Sequence, residues 1–263
     1  MGFGLGLLMA HFAKRTAWGQ RPRRWAGLAL VLALIGAYLV QYGFPSVPFG
    51  EDRLRSHERF FWMLIPAAMV SLSTWRLALL PLALLLPLVA TATITGWSLE
   101  VSALTQRLVL PAVFVLMATS GDAVFRSRPG FPSALALGLV VSVSAAAIGA
   151  SGSATYATWL GGLGLAWGVS VLLAWRRWDA NMLDGGTLMM WTAGFLLLAT
   201  TYSELSPVDA GLLACALPLS LLVESLVEGK AKRVMGWAAL LAPLILALVR
   251  IALAFESDPY AGY

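Results

Sequence analysis

Nine apolar runs, separated by lone charges, turn residues or tryptophans, occupy most of this chain: 25–43, 60–75, 77–97, 103–120, 131–150, 156–175, 186–203, 208–226 and 235–255. About 20 apolar residues is the length of an α-helix that crosses the hydrocarbon layer of a bilayer. Backbone groups find no water there, and a helix satisfies them within its own segment. The pattern predicts an all-α, polytopic transmembrane helix bundle of about nine spans. Composition agrees: 59 % of the 263 residues are apolar and 12 % are charged, whereas a soluble domain is roughly 45–50 % apolar and about 25 % charged. A soluble globular protein is excluded.

The second run is short, rising about 24 Å over 60–75 at 1.5 Å per residue, and only Arg76 separates it from the third. Seven spans plus a re-entrant hairpin at 60–97 is the alternative. Lys and Arg collect on the cytoplasmic side of membrane proteins. Nine crossings with the N-terminus inside put 13 of them inside: Lys14, Arg15, Arg21, Arg23, Arg24, Arg76, Arg126, Arg128, Arg176, Arg177, Lys230, Lys232 and Arg233. Arg53, Arg55, Arg59 and Arg107 fall outside. A single crossing over 60–97 inverts everything after it and leaves 6 inside against 10 outside, so charge favours nine. A closed hairpin keeps the same parity. Glu51, Asp52, Glu58, Glu100, Glu204, Asp209, Glu256 and Asp258 then lie outside. Indoles favour the headgroup level, and Trp25, Trp62, Trp75, Trp97, Trp159, Trp175, Trp178 and Trp237 lie at or near span ends, with Trp167 alone clearly mid-membrane.

The expected organisation is a basic cytoplasmic N-terminal segment at 1–24, one transmembrane domain at 25–255 and a short external C-terminal tail at 256–263. The modest apolar stretch 1–13 precedes its basic residues, the reverse of a secretory signal, so no cleavage is expected. Position 6 is Gly rather than the Ser or Thr of a myristoylation signal. Usage rich in Ala, Leu and Arg points to a bacterial cytoplasmic membrane as the location. The net charge of +5 is read as orientation rather than as a nucleic-acid surface. Cys215 is the single cysteine, so no intrachain disulfide or cysteine metal cluster can form.

Small residues crowd spans five and six: 144–152 is Ser, Ala and Gly apart from Ile148, and Gly161, Gly162, Gly164 and Gly168 follow. Small side chains let helix backbones approach, so Gly149, Gly161, Gly164 and Gly168 are the expected helix-packing positions. Ser151, Gly152 and Ser153 between them read as a flexible turn. Pro66, Pro81, Pro87, Pro111, Pro218 and Pro243 fall within spans and each removes a helical hydrogen bond. They form no paired pattern between halves, as an inverted-repeat transporter would show.

Ionisable groups within spans are the usual mark of transport. Here Arg107 and Arg250 lie near outer span ends and Glu224 near an inner one, where each can anchor at the interface. The functional alternative is an outward pocket in which Arg107 and Arg250 bind an anionic lipid headgroup or a carboxylate. The outer cluster 51–59 reads as an interfacial helix with compensated charges. A metal site at His57 and Glu58 fails because position 61 of a HExxH motif is Phe. His11, the only other histidine, lies on the opposite expected side. In the inner loop, Asp179 and Asp184 flank Asn181 and could hold magnesium against a phosphorylated substrate, but Asp184 also suits the N-cap of span seven. No GxSxG with a usable histidine and no GxxxxGK[ST] occurs.

No cofactor is expected, and the partners are the bilayer and other chains of a membrane complex, without nucleic acid. The leading expectation is a non-catalytic subunit, anchor or assembly factor. The first alternative is a small carrier or permease for a weakly charged or lipid-like solute, using span hydroxyls such as Thr91, Thr93, Thr95, Ser142, Ser144, Thr192, Thr200 and Thr201. The second is a lipid-processing enzyme using Asp122, Asp179 and Asp184 inside or His57, Glu58, Glu204 and Asp209 outside.

Overall fold

The structure is a computed structural model that describes residues 34–36, 38–44, 58, 113, 116–125, 127, 128, 130–174, 185–229 and 231–257, with backbone only at 170, 173, 174, 201, 202 and 255–257. Runs two and three, Arg107, Asp179, Asp184, His11, His57 and the 1–24 segment lie outside the described residues. Five helices are described: α1 (Phe131–Ala150), α2 (Ala154–Ala174), α3 (Gly185–Tyr202), α4 (Pro207–Leu226) and α5 (Ala231–Ser257). All regular structure among the described residues is helical. The spans Phe131–Ala150, Pro207–Leu226 and Ala231–Ala254 are long and apolar enough to cross a membrane, and Gly185–Thr200 is a shorter apolar helix. The architecture is that of an α-helical membrane protein.

The chain divides into two compact units, Met1–Val115 with Asp179–Thr187, and Leu116–Trp178 with Leu188–Tyr263. In the first, the described helix at 38–42 ends where Gly43 adopts φ +77° and its amide bonds the Leu39 carbonyl at 3.0 Å. That left-handed stop suits a glycine, which has no Cβ to clash. Tyr38 is buried and stacks at a tilt on Tyr42, ring centroids 5.3 Å apart.

In the second unit, α1 and α2 form an antiparallel hairpin. Ser153 N–H bonds the Ile148 carbonyl at 3.3 Å and Gly152 N–H, with φ +90° at that glycine, bonds the Gly149 carbonyl at 3.2 Å. These two bonds are a Schellman cap. The tripeptide expected to be a flexible turn is therefore a defined helix stop, and Ser151 Oγ adds a bond to the Ile148 carbonyl at 2.9 Å.

Small residues set the spacing of this hairpin. A Cβ on Gly149 would lie 3.3 Å from Ala157 Cβ, and one on Gly164 would lie 3.1 Å from Val141 Cγ1. Gly161 and Gly168 face no described atom within 4 Å. Gly138 lies beneath Trp167, whose Nε1–H reaches the Ala134 carbonyl at 3.0 Å. An indole at mid-span needs both room and an acceptor. It finds both on α1, and the Phe125 ring lies tilted to it at 6.4 Å between centroids.

Helices α4 and α5 form the second antiparallel hairpin, joined at 227–230 through Gly229 with φ +75°. Ser206 caps α4, accepting the Val208 amide at 3.3 Å, and Pro207 supplies a first residue with no amide to satisfy. The buried positions of α4, including Asp209, Leu213, Leu217, Ser220 and Glu224, recur every three or four residues. On α5 the stripe Gly236, Leu240, Leu244 and Ala247 does the same. Outside this stripe Leu241, Ile245, Leu246, Val249 and Leu253 are exposed. A helix apolar all round suits a lipid boundary, where association depends on close van der Waals fit rather than on hydrophobic exclusion. Helix α3, by contrast, is buried at nearly every residue from Leu188 to Ala199.

Candidate functional site

Two ion pairs among the described residues lie at the two ends of the α4–α5 hairpin. At the end near the 227–230 turn, Arg128 enters from the junction between the helical stretch 116–125 and α1. The Val124 carbonyl holds this junction: it accepts the Arg128 amide at 2.8 Å, Ser133 Oγ at 3.1 Å and Ser127 Oγ at 3.2 Å. Gly130 then turns the chain into α1 with φ +87°.

From there the Arg128 side chain reaches the hairpin. Its Nε donates to Glu224 Oε1 at 2.7 Å, its Nη2 donates to Ser220 Oγ, and its Cζ lies 4.9 Å from the centroid of the Trp237 ring. Both charged side chains are only 4 % exposed. Removing two charges from water costs several kcal/mol per ion, recovered only with good geometry and further hydrogen bonds. Here the further groups are a hydroxyl and an aromatic face, which attract cations.

Ser220 Oγ in turn donates to the Gly236 carbonyl at 2.5 Å. A hydroxyl has one proton, so Ser220 can offer Arg128 only a lone pair. Gly236 is required for this approach. A Cβ there would fall against Glu224 Cγ, 2.5 Å from Glu224 Oε1 and 2.8 Å from Arg128 Nη2. Arg128 Nη1 and Glu224 Oε2 are buried without hydrogen-bond partners among the described residues.

At the other end of the hairpin, Arg250 Nε donates to Asp209 Oδ1 at 2.6 Å. Asp209 is 7 % exposed and Arg250 45 %. The neighbouring 203–206 turn is tied to the α1–α2 turn by the Glu204 amide, 3.1 Å from the Ser151 carbonyl.

Of the two arginines expected to share an anion pocket, Arg250 is thus found beside a carboxylate, and Arg107 lies outside the described residues. Glu224, expected to anchor at an interface, is buried against Arg128. Sequence reasoning counted Arg128 among inner-side charges and did not foresee the pair. The available signal was that both residues belong to the same expected side of the membrane, with Glu224 the only carboxylate within an otherwise apolar span end. Among the described residues no three His, Cys, Asp or Glu side chains gather as a metal site. Compared with protein-family models, curated proteins and solved structures, the chain has no match.

Proposed function

We propose that this chain is an integral subunit, anchor or assembly factor of a membrane complex, held in a bacterial cytoplasmic membrane by nine crossings with the N-terminus inside. The observation that carries this reading is the pairing of charges within the chain: buried Arg128 on Glu224, and half-exposed Arg250 on Asp209. Charged groups spent in this way fix the relative positions of helices and suit a scaffold. The 13-to-4 distribution of Lys and Arg supports the orientation.

The test is affinity purification of the tagged full chain from its host in mild detergent, with mass spectrometry of co-purifying chains and lipids. A stoichiometric protein partner is expected. A lone chain carrying a specific solute or lipid overturns the reading. A carrier for a weakly charged or lipid-like solute is the second reading, favoured by buried Ser144 Oγ, Arg128 Nη1 and Glu224 Oε2, which have no hydrogen-bond partners among the described residues. Saturable solute movement in reconstituted vesicles would establish it.

A further inference from the structure

The groups around the Arg128 guanidinium share one property: each presents negative charge or electron density. Glu224 offers a carboxylate whose Oε1 is engaged and whose Oε2 is buried without a partner among the described residues. Ser220 has its proton committed to the Gly236 carbonyl and offers a lone pair. Trp237 offers its ring face, which carries the negative pole of the aromatic quadrupole. The cradle therefore rejects anions and attracts cations. Its geometry is also selective, because the acceptors reach Nε and Nη2 while the indole faces Cζ. Carboxylate, hydroxyl and ring face together match a flat cation with several donors, a shape that guanidinium has and a metal ion or ammonium lacks.

The second relevant fact is where these groups come from. Ser220 and Glu224 belong to α4, and Gly236 and Trp237 to α5, so one hairpin carries the whole cradle. The occupant comes from elsewhere in the chain, 92 residues before Ser220.

We propose that the α4–α5 hairpin carries a binding site for a planar organic cation of the guanidinium class, and that Arg128 is a tethered occupant that keeps the site closed. A free alkylguanidinium is the chemical class that the cradle takes once Arg128 is removed. The site does not depend on the complex-subunit reading, since it is tested on the isolated chain.

The experiment uses the full-length protein in mild detergent, with Arg128→Ala to vacate the cradle and ethylguanidinium as the probe, kept far below denaturing concentrations. Thermal unfolding should show a saturable rise in midpoint for Arg128→Ala, as expected when a ligand binds only the folded state. Ethylammonium should give a smaller rise and sodium chloride at equal ionic strength none. The wild type, whose site is filled, should not respond, and Arg128→Ala/Glu224→Ala should lose the response.

Absence of a saturable rise in folded Arg128→Ala overturns the proposal, as does an equal rise in the double variant. Arg128→Met, which keeps the bulk of the arginine stem, serves if the alanine variant does not fold. If neither is recovered folded, extraction in ethylguanidinium must restore a monodisperse Arg128→Ala protein, and failure to do so also overturns the proposal.

Discussion

Ser220 on α4 donates its hydroxyl proton to the carbonyl of Gly236 on α5 across 2.5 Å, so the two backbones meet where one of them has no side chain. Alanine at position 236 puts a Cβ against the Glu224 side chain and 2.8 Å from Arg128 Nη2. In an exposed helix the same change gains about 0.5–1 kcal/mol through reduced backbone freedom. Here the clash reverses the sign, and overpacking of this kind costs about 1–3 kcal/mol. Gly211, exposed on α4 with no described atom within 4 Å of an added Cβ, is the internal control. Thermal unfolding in detergent should fall for Gly236→Ala and hold or rise for Gly211→Ala.

The two ion pairs should respond very differently to mutation. Removing one partner of a buried pair leaves an uncompensated charge and costs about 3–5 kcal/mol. Glu224→Ala is expected to lose stability on that scale, and Arg128→Met/Glu224→Met to recover most of the loss. Arg250, nearly half exposed, is worth far less on its partner: about 0.2–1 kcal/mol is usual for exposed pairs, and salt screens it. A double-mutant cycle for each pair, repeated at low and high salt, should give a large salt-insensitive coupling for Arg128 with Glu224 and a small salt-sensitive one for Arg250 with Asp209.

Gly164 and Gly168 are one helical turn apart in the same motif, yet they differ in what they meet. An added Cβ at Gly164 lies 3.1 Å from Val141 Cγ1, whereas at Gly168 it meets no described atom within 4 Å. Gly164→Leu is expected to force α1 and α2 apart and cost about 1–3 kcal/mol. Gly168→Ala should stay within about 0.5 kcal/mol of wild type. Unfolding midpoints of the two variants, measured side by side, decide the point.

The contrast between those glycines shows what periodicity could and could not supply. Helix positions were legible, because lipid demands long apolar runs and charges punctuate them: α1, at Phe131–Ala150, coincides with the run at 131–150, and α4 begins one residue before its run. Which face packs was not legible. In lipid the outer face is as apolar as the inner one, so the contrast that marks a buried stripe in a soluble helix is missing. Gly138 beneath Trp167 carries no signal in the sequence for that reason, and spacing alone does not tell Gly164, which meets Val141, from Gly161 and Gly168, which meet no described atom within 4 Å. The Arg128–Glu224 pair joins residues 96 positions apart, a distance over which local pattern carries no information.

Cys215 permits a direct test of the membrane assignment on the unmodified chain. It is the only cysteine, it lies near the middle of α4, and its side chain is exposed on the helix surface. In water an exposed thiol is labelled readily through its thiolate. If α4 crosses the bilayer, Cys215 faces acyl chains about 12 Å from the start of the helix at 1.5 Å per residue, a depth that a charged reagent does not reach. A charged, impermeant maleimide added to intact cells or to inverted vesicles should therefore leave Cys215 unlabelled from both sides. Full labelling should appear once the protein is denatured in detergent. Rapid labelling from either side before denaturation would place Cys215 in water and overturn the assignment of α4 as a lipid-facing span. Reaction with an uncharged, lipid-soluble maleimide in intact membranes is the expected positive signal, because that reagent partitions into the hydrocarbon layer and reaches the thiol.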